Sequence, residues 1–258
     1  MRFLIGLWVL AFSCAGVSVT AAEPRQILLV LTNHAQLGDT GVATGFFLSE
    51  AAHPWEVFRK AGYAVTLASP RGGFAPVDPK SFKLDDPANA SFWREYGGKV
   101  EGVDGVAKTR ALAELKPEAY AAVFFAGGHG AMWDFPNNPE IARLSAGIYE
   151  RGGVVGSVCH GPAALVGVKL ADGTPLVSGR QVAVFSNAEE AAVKLTSVVP
   201  FLLADELARA GAKPVVGADF QENAVRDGRL VTGQNPASAT KAARLLVEAL
   251  TSVAAEKP

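Results

Sequence analysis

The chain has 258 residues, a formal net charge of −1 and 19% charged residues. That balance supplies neither the basic field that draws nucleic acid nor an acidic tail, so the expected partner is a small molecule and not nucleic acid. With 49% hydrophobic residues the chain can bury one large core. At the N-terminus, Met1-Arg2 precede the apolar run FLIGLWVLAF at 3–12, the length of an export signal's hydrophobic region, and Ala21 and Ala22 offer a cleavage site. Residues 1–22 are therefore read as a signal peptide, 23–258 as a single domain, and the mature chain as exported to the periplasm. The run is too short for a stable span, so no membrane span is expected in the mature form. Cys14 raises a lipoprotein alternative, but Phe12 stands where such a signal wants a small residue. Once Cys14 is removed, Cys159 is the one remaining cysteine and no internal disulfide is expected.

From residue 26 onward, apolar runs alternate with helix-patterned segments. QILLVLT (26–32) reads as strand, FFLSEAAHPWEVFRKAG (46–62) as helix, AVTLASP (64–70) as strand, VAKTRALAEL (106–115) as helix and YAAVFFAGG (120–128) as strand. The strands are continuously apolar instead of alternating, the pattern of a parallel sheet covered by helices on both faces. Further on, PEIARLSAGIYERGG reads as helix, VVGSV and QVAVFS as strands, VPFLLADELARAGAK as helix, AVRDGRLVTG as a hairpin around Asp-Gly, and ASATKAARLLVEALTSVA as the last helix. Between 70 and 103 the chain is rich in Pro, Gly and Asp and lacks a sustained period, which reads as an ordered, lid-like insertion. The fold class is α/β, with a mostly parallel sheet.

GSVCHGP (156–162) places Cys159 and His160 between two glycines, after a strand and before HGPAAL, which reads as the start of a helix. This is the layout of a nucleophile elbow, and a helix N-terminus there favours thiolate over thiol. A small buried cysteine at a strand end fits the same heptapeptide. Gly127 and Gly128 close another strand, where backbone N–H groups approach a substrate with no Cβ in the way, as an oxyanion pocket or an ordinary turn requires. Glu50 lies in the first helix, at the rim where strand C-terminal ends open, either as an acid beside the thiol or as a solvated helix residue. Glu189 and Glu190 follow the QVAVF strand and either orient His160 or act as acids in a helix's first turn. His34, His53 and His129 show no ligand spacing, so metal is not expected and packing is the assigned role of each. HPW at 53–55 reads as structural.

Taken together, GxxxTGFFLSEAAHPWEVF from Gly41, AGYAVTLASPRGG, FFAGGHGAMWDFP, GGVVGSVCHGPAAL and FSNAEE resemble, in the same order, the blocks of the DJ-1/PfpI superfamily and of its Hsp31-like branch. The resemblance implies a flavodoxin-like three-layer sandwich, with the insertion as a cover. It implies Cys159 as nucleophile, His160 as its base, Glu190 (ahead of Glu189) as the acid holding the imidazole, and Glu50 as a buried carboxyl group at the sulfur. Gly128 and the His160 N–H would form the oxyanion pocket, and MWDFP, with Trp133 and Asp134, would line the site. The implied activity is cofactor-independent and acts on a small aldehyde: a glutathione-independent glyoxalase turning methylglyoxal-type 2-oxoaldehydes into 2-hydroxy acids through a Cys159 hemithioacetal. A holdase chaperone or oxidant-sensing stress protein is the alternative, a cysteine peptidase a weaker one, and a homodimer a family-level expectation. A glutamine amidotransferase shares the elbow but needs a histidine downstream of it. The four histidines are His34, His53, His129 and His160, and none lies beyond the elbow.

Overall fold

A computed structural model describes residues 26–255; the leader expected at 1–22 lies outside them. The first half of the described chain runs β1 (Gln26–Val30), α1 (Leu48–Lys60), β2 (Ala64–Ser69), β3 (Arg71–Pro76), α2 (Pro87–Tyr96), β4 (Gly97–Val100), β5 (Val103–Ala111) and β6 (Tyr120–Phe125). The second half runs α3 (Ala131–Asp134), α4 (Pro139–Glu150), β7 (Val154–Val158), β8 (Gln181–Val182), α5 (Asn187–Ala192), α6 (Leu203–Arg209), β9 (Lys213–Pro214), β10 (Ala224–Asp227), β11 (Leu230–Gly233) and α7 (Ala239–Ala255).

The main sheet has the order β10-β11-β7-β6-β1-β2-β5-β3, with β4 also paired to β5. Its centre, from β11 through β5, is parallel, and an antiparallel strand finishes each edge, β10 on β11 and β3 on β5. The apolar runs are continuous because each strand is covered on both sides. Leu28, Val30, Val123, Phe125 and Val155 pack against Ile141, Leu144 and Ile148 of α4. Their strand neighbours Ile27, Leu29, Ala122, Phe124 and Val154 turn to the other face, against α1 and α7. Each fully buried Phe or Leu in these layers contributes about 1.5–3 kcal/mol over its exposed state. The observed architecture is the three-layer α/β sandwich that the patterning predicts.

Two segments differ from expectation. Residues 106–115, whose Ala, Lys, Arg, Leu and Glu favour helix, are strand through Ala111 and then a single 3-10 turn at Leu112–Glu114. Pairing overrides propensity here: β5 is held between β2 and β3, Val106 and Thr109 are buried, and Thr109 Oγ1 lies 2.6 Å from Ser69 Oγ. Of the QVAVFS run only Gln181–Val182 is strand, and it pairs with β9 in a separate two-stranded sheet. Segment 70–103 is ordered throughout. It builds the β3 edge, β4 and α2, whose Phe92 and Tyr96 meet the Trp55 ring edge-on. Near its start Asp78 and Lys80 reach the cavity at the Cys159 sulfur.

The strand order places β6 and β2 on opposite sides of β1, so the chain reverses its winding between β1 and β6. In open α/β sheets, ligands bind outside the strand C-terminal ends at such a point. The segments leaving β1, β6 and β7 converge there.

Candidate active site

Cys159 comes directly after β7 and has φ +61°, a left-handed conformation that non-glycine residues rarely adopt. Its peptide groups are fixed on both sides: its N–H donates to Gly233 O at 2.8 Å and its carbonyl accepts from Phe185 N at 3.1 Å. Gly161 completes the elbow, because a Cβ there would collide with the Phe125 carbonyl. The elbow is present as predicted, but the chain leaves it in a five-residue 3-10 turn, Gly161–Leu165, and not in an α-helix. A helix dipole is therefore a weak influence on the sulfur.

The sulfur lies 3.3 Å from His160 Nδ1, and His160 Nε2 lies 2.8 Å from Glu190 Oε2. Burial, and after it the charge of His129, lowers the His160 pKa to about 4. Burial acts to raise Glu190, but hydrogen bonds from His129 and His160 outweigh it and hold the carboxylate at about 2. Near neutral pH the pair is thus a neutral imidazole on a carboxylate. Nε2–H donates to Glu190, which leaves Nδ1 as a bare acceptor at the thiol.

The two adjacent acids divide their work. Glu189 closes a capping box with Ser186 at the start of α5, and its Oε1 accepts from Phe220 N and Asn235 Nδ2, each at 2.8 Å. Glu190, one residue on and rotated about 100° around the helix axis, faces His160. It also holds a residue that sequence reasoning missed: His129 Nε2 lies 3.0 Å from Glu190 Oε1, and the two imidazole rings are 4.1 Å apart. From the sequence, His129 reads as a packing residue. Its position right after Gly127-Gly128 was the available signal, but its distance of 31 positions from His160 hid the contact. His129, His160 and Glu190 bring donor atoms within 4.8 Å of one another, the set that a divalent cation takes, and here these atoms are engaged with each other.

Glu50 is fully buried, not a solvated helix residue. Its Oε2 accepts from Gly127 N at 2.8 Å, whereas Oε1 has no partner in good hydrogen-bond geometry and the Cys159 thiol is the side chain within its reach. Burial raises the Glu50 carboxyl to about 8, the negative charge of Asp78 adding to the effect. The thiol is also raised well above its usual value, first by burial and then by the charge of Glu50, although the N–H groups of Gly128 and His160 aim at the sulfur and oppose the rise. This corrects the expectation of an easily ionised cysteine: Cys159 is 3% exposed, and the desolvation cost exceeds the help from backbone donors. The sulfur and the carboxyl are coupled, the charge of each raising the cost of ionising the other.

Three further expected positions are corrected. Gly127 does not offer its N–H to an oxyanion, since Glu50 takes it, and a Cβ at Gly127 would lie 2.5 Å from that carboxylate. The N–H groups of Gly128, with φ +94°, and of His160 are directed at the Cys159 sulfur. Trp133 and Asp134 are not among the residues lining the cavity at the sulfur. Trp133 stacks on His34 at 5.0 Å, and Asp134 accepts from Thr32 Oγ1 and Asn33 N, bracing the chain after β1.

The cavity measures about 230 Å³ and is lined by Gly128, His129, Cys159 and His160, by Asp78 and Lys80, and by apolar side chains. A larger groove of about 580 Å³ lies elsewhere, around His53 between α1, α2 and α7. Its residues make the structural ties that HPW suggests: His53 Nε2 to Asp86 Oδ2 at 3.1 Å and Nδ1 to Thr240 Oγ1 at 3.3 Å.

A parallel α/β sandwich with a strained cysteine at a strand end, flanked by an imidazole, two acids and converging N–H groups, defines a cysteine-elbow protein. Residues 41–249 match the DJ-1/PfpI family model. The chain belongs to the DJ-1/PfpI family. It is 32% identical to the Saccharomyces cerevisiae protein called glutathione-independent glyoxalase HSP31, over 88% of this chain and 98% of that one. Among solved structures it superimposes on glyoxalase III from Candida albicans with a TM-score of 0.78 at 32% identity, covering 87% of this chain and 97% of that one. It also superimposes on the Francisella tularensis Rapid Encystment Protein 24 KDa with a TM-score of 0.80 at 36% identity, covering 88% and 99%.

Proposed function

We propose that this chain is a glutathione-independent glyoxalase that converts methylglyoxal-type 2-oxoaldehydes to 2-hydroxy acids, with Cys159 as nucleophile. The observation that carries this reading is the Cys159 sulfur, 3.3 Å from a bare imidazole nitrogen and coupled to a buried carboxyl group with a pKa of about 8. His160 takes the thiol proton at Nδ1, stabilised by Glu190 at Nε2, while protonated Glu50 and the N–H groups of Gly128 and His160 hold the sulfur anion. The thiolate adds to the aldehyde carbon, forming a C–S bond, and the resulting oxyanion takes the proton from His160. The aldehyde C–H proton then leaves to a flanking base, an enediol forms, and a proton returns to the neighbouring carbon to give a 2-hydroxy thioester. Water cleaves the C–S bond, releasing the 2-hydroxy acid and regenerating the thiol. A carboxyl group with a pKa near 8 both gives and takes protons near neutral pH, which suits Glu50 to the transfer between carbons. The similarity to proteins called glutathione-independent glyoxalase and glyoxalase III supports the same chemistry.

The oxidant-sensing alternative has less support from this thiol, which is buried and raised in pKa. No helix of the described residues is long and apolar enough to cross a membrane. Export through residues 1–22 remains part of the proposal, and the mass of the mature protein tests it. The decisive assay is consumption of methylglyoxal without glutathione, with product chirality read out. Turnover that is lost in Cys159→Ala is expected, and no consumption by the wild type overturns the reading.

A further inference from the structure

We infer that Phe220 sets the substrate preference of this site, and that the preferred substrates are 2-oxoaldehydes whose ketone carries an aryl or similarly broad apolar group. The inference rests on the glyoxalase reading and names the substrate class of the same site. Phe220 combines two unfavourable features: as a large apolar residue it is 45% exposed, and its backbone has φ +56°. A β-carbon in that conformation is strained, and the strain persists only where the surroundings enforce it. They do so here through buried polar side chains. Glu189, fully buried, accepts the Phe220 N–H at 2.8 Å. Asn235, also fully buried, donates from Nδ2 to that same carboxylate and to Gln221 O, both at 2.8 Å. Gln234 Oε1 meanwhile accepts from Gly217 N and Asn223 Nδ2. Two ends of one loop are thus tied down, and the residue presented between them is an exposed phenylalanine.

That phenylalanine lines the cavity at the sulfur. Its ring meets Phe185 at 6.2 Å with planes 60° apart, and Phe185 lies 4.4 Å from the His160 ring, so an aromatic row runs from the cavity mouth to the imidazole. Phe47, Val193, Leu195 and Pro236 complete an apolar enclosure of about 230 Å³. The two charged lining residues are of opposite sign and give no net preference for an anionic tail: Asp78, anchored by Thr44 Oγ1 and the Lys80 N–H, opposes one, and the Lys80 side chain is exposed. A substrate ending in a single methyl group leaves most of this enclosure to water. A planar ring fills it and meets Phe185 and Phe220 in edge-on or offset contacts.

Steady-state kinetics with phenylglyoxal and methylglyoxal, without glutathione, test the inference on the wild type, Phe220→Ala and Phe220→Leu. The expected wild-type kcat/KM is about tenfold or more higher for phenylglyoxal, the scale that an added apolar group contributes in a fitted pocket. Phe220→Ala is expected to remove most of that advantage through KM, with a markedly smaller loss on methylglyoxal than on phenylglyoxal, and Phe220→Leu to fall between. Equal efficiency on both substrates, or an equal loss on both in Phe220→Ala, overturns the inference while the glyoxalase reading stands. Turnover of neither substrate by the wild type overturns the glyoxalase reading itself.

Discussion

The cysteine elbow and the His53 groove contain similar parts with different physical settings. Each strings a carboxylate, an imidazole and a nucleophilic atom: Glu190, His160 and Cys159 at the elbow, and Asp86, His53 and Thr240 in the groove, with spacings of 2.8 and 3.3 Å in the first and 3.1 and 3.3 Å in the second. The groove is also the larger of the two concavities. What separates them is solvent. His160 and Glu190 have side chains 1% and 4% exposed, against 26% and 36% for His53 and Asp86. Burial moves the pKa values of Glu50 and His160 in the directions that set up a donor and an acceptor, and backbone N–H groups converge on the sulfur. Residue types at hydrogen-bond distance do not make a reactive site; desolvation and preorganised donors do.

Removing each nucleophile breaks the comparison most sharply. Cys159→Ala is expected to lower glyoxalase kcat/KM by at least about 10³-fold, whereas Thr240→Ala leaves it within about twofold; methylglyoxal consumption measures both. Loss of activity in Thr240→Ala with Cys159 intact would reverse the assignment. Next in size, Glu190→Gln is expected to lower kcat by about 10²-fold, because it removes the charge that stabilises a protonated His160. His129→Asn should cause a smaller loss, since it removes only the second donor to that carboxylate.

A pH series of thermal unfolding sharpens the contrast in burial. The Glu50 carboxyl has a folded pKa of about 8 against an ordinary 4.5, so its proton favours the folded state. That contribution is complete below the ordinary value and is lost as pH rises from there through 8. Glu190, held at about 2, contributes in the opposite sense: its stabilisation is present above 4.5 and is lost as pH falls toward 2. Glu50→Gln is therefore expected to lose less Tm than the wild type between about pH 6 and pH 9, each kcal/mol spared appearing as about 2–4 °C. Parallel Tm curves for the two proteins would contradict the raised carboxyl. The smallest effect belongs to the groove, where His53→Ala removes a partly exposed hydrogen bond to Asp86 and is expected to cost about 1 kcal/mol or less by denaturant titration, with glyoxalase activity unchanged.

Much of this was legible in the residues themselves. Strands with both faces apolar, the Asp-Gly hairpin before α7 and the tight glycine-bounded turn at Cys159 come from local pattern, because periodicity and steric demands act between near neighbours in the chain; Glu50 and the Glu189-Glu190 pair are candidates by position, and the family resemblance selects Glu50 and Glu190 among them. Tertiary structure decided the rest. Residues 106–111 form a strand only because β2 and β3 offer hydrogen bonds and a buried slot for Val106 and Thr109. His129 joins Glu190, Gly127 serves Glu50 rather than an oxyanion, Asp134 turns back to the end of β1, and Phe220 is held strained at the cavity. Each of these depends on groups far apart in sequence that meet only after folding. Protonation belongs to the same category: the chain order names the sulfur and its neighbours, but the free energy of charging them is set by how completely the assembled layers exclude water.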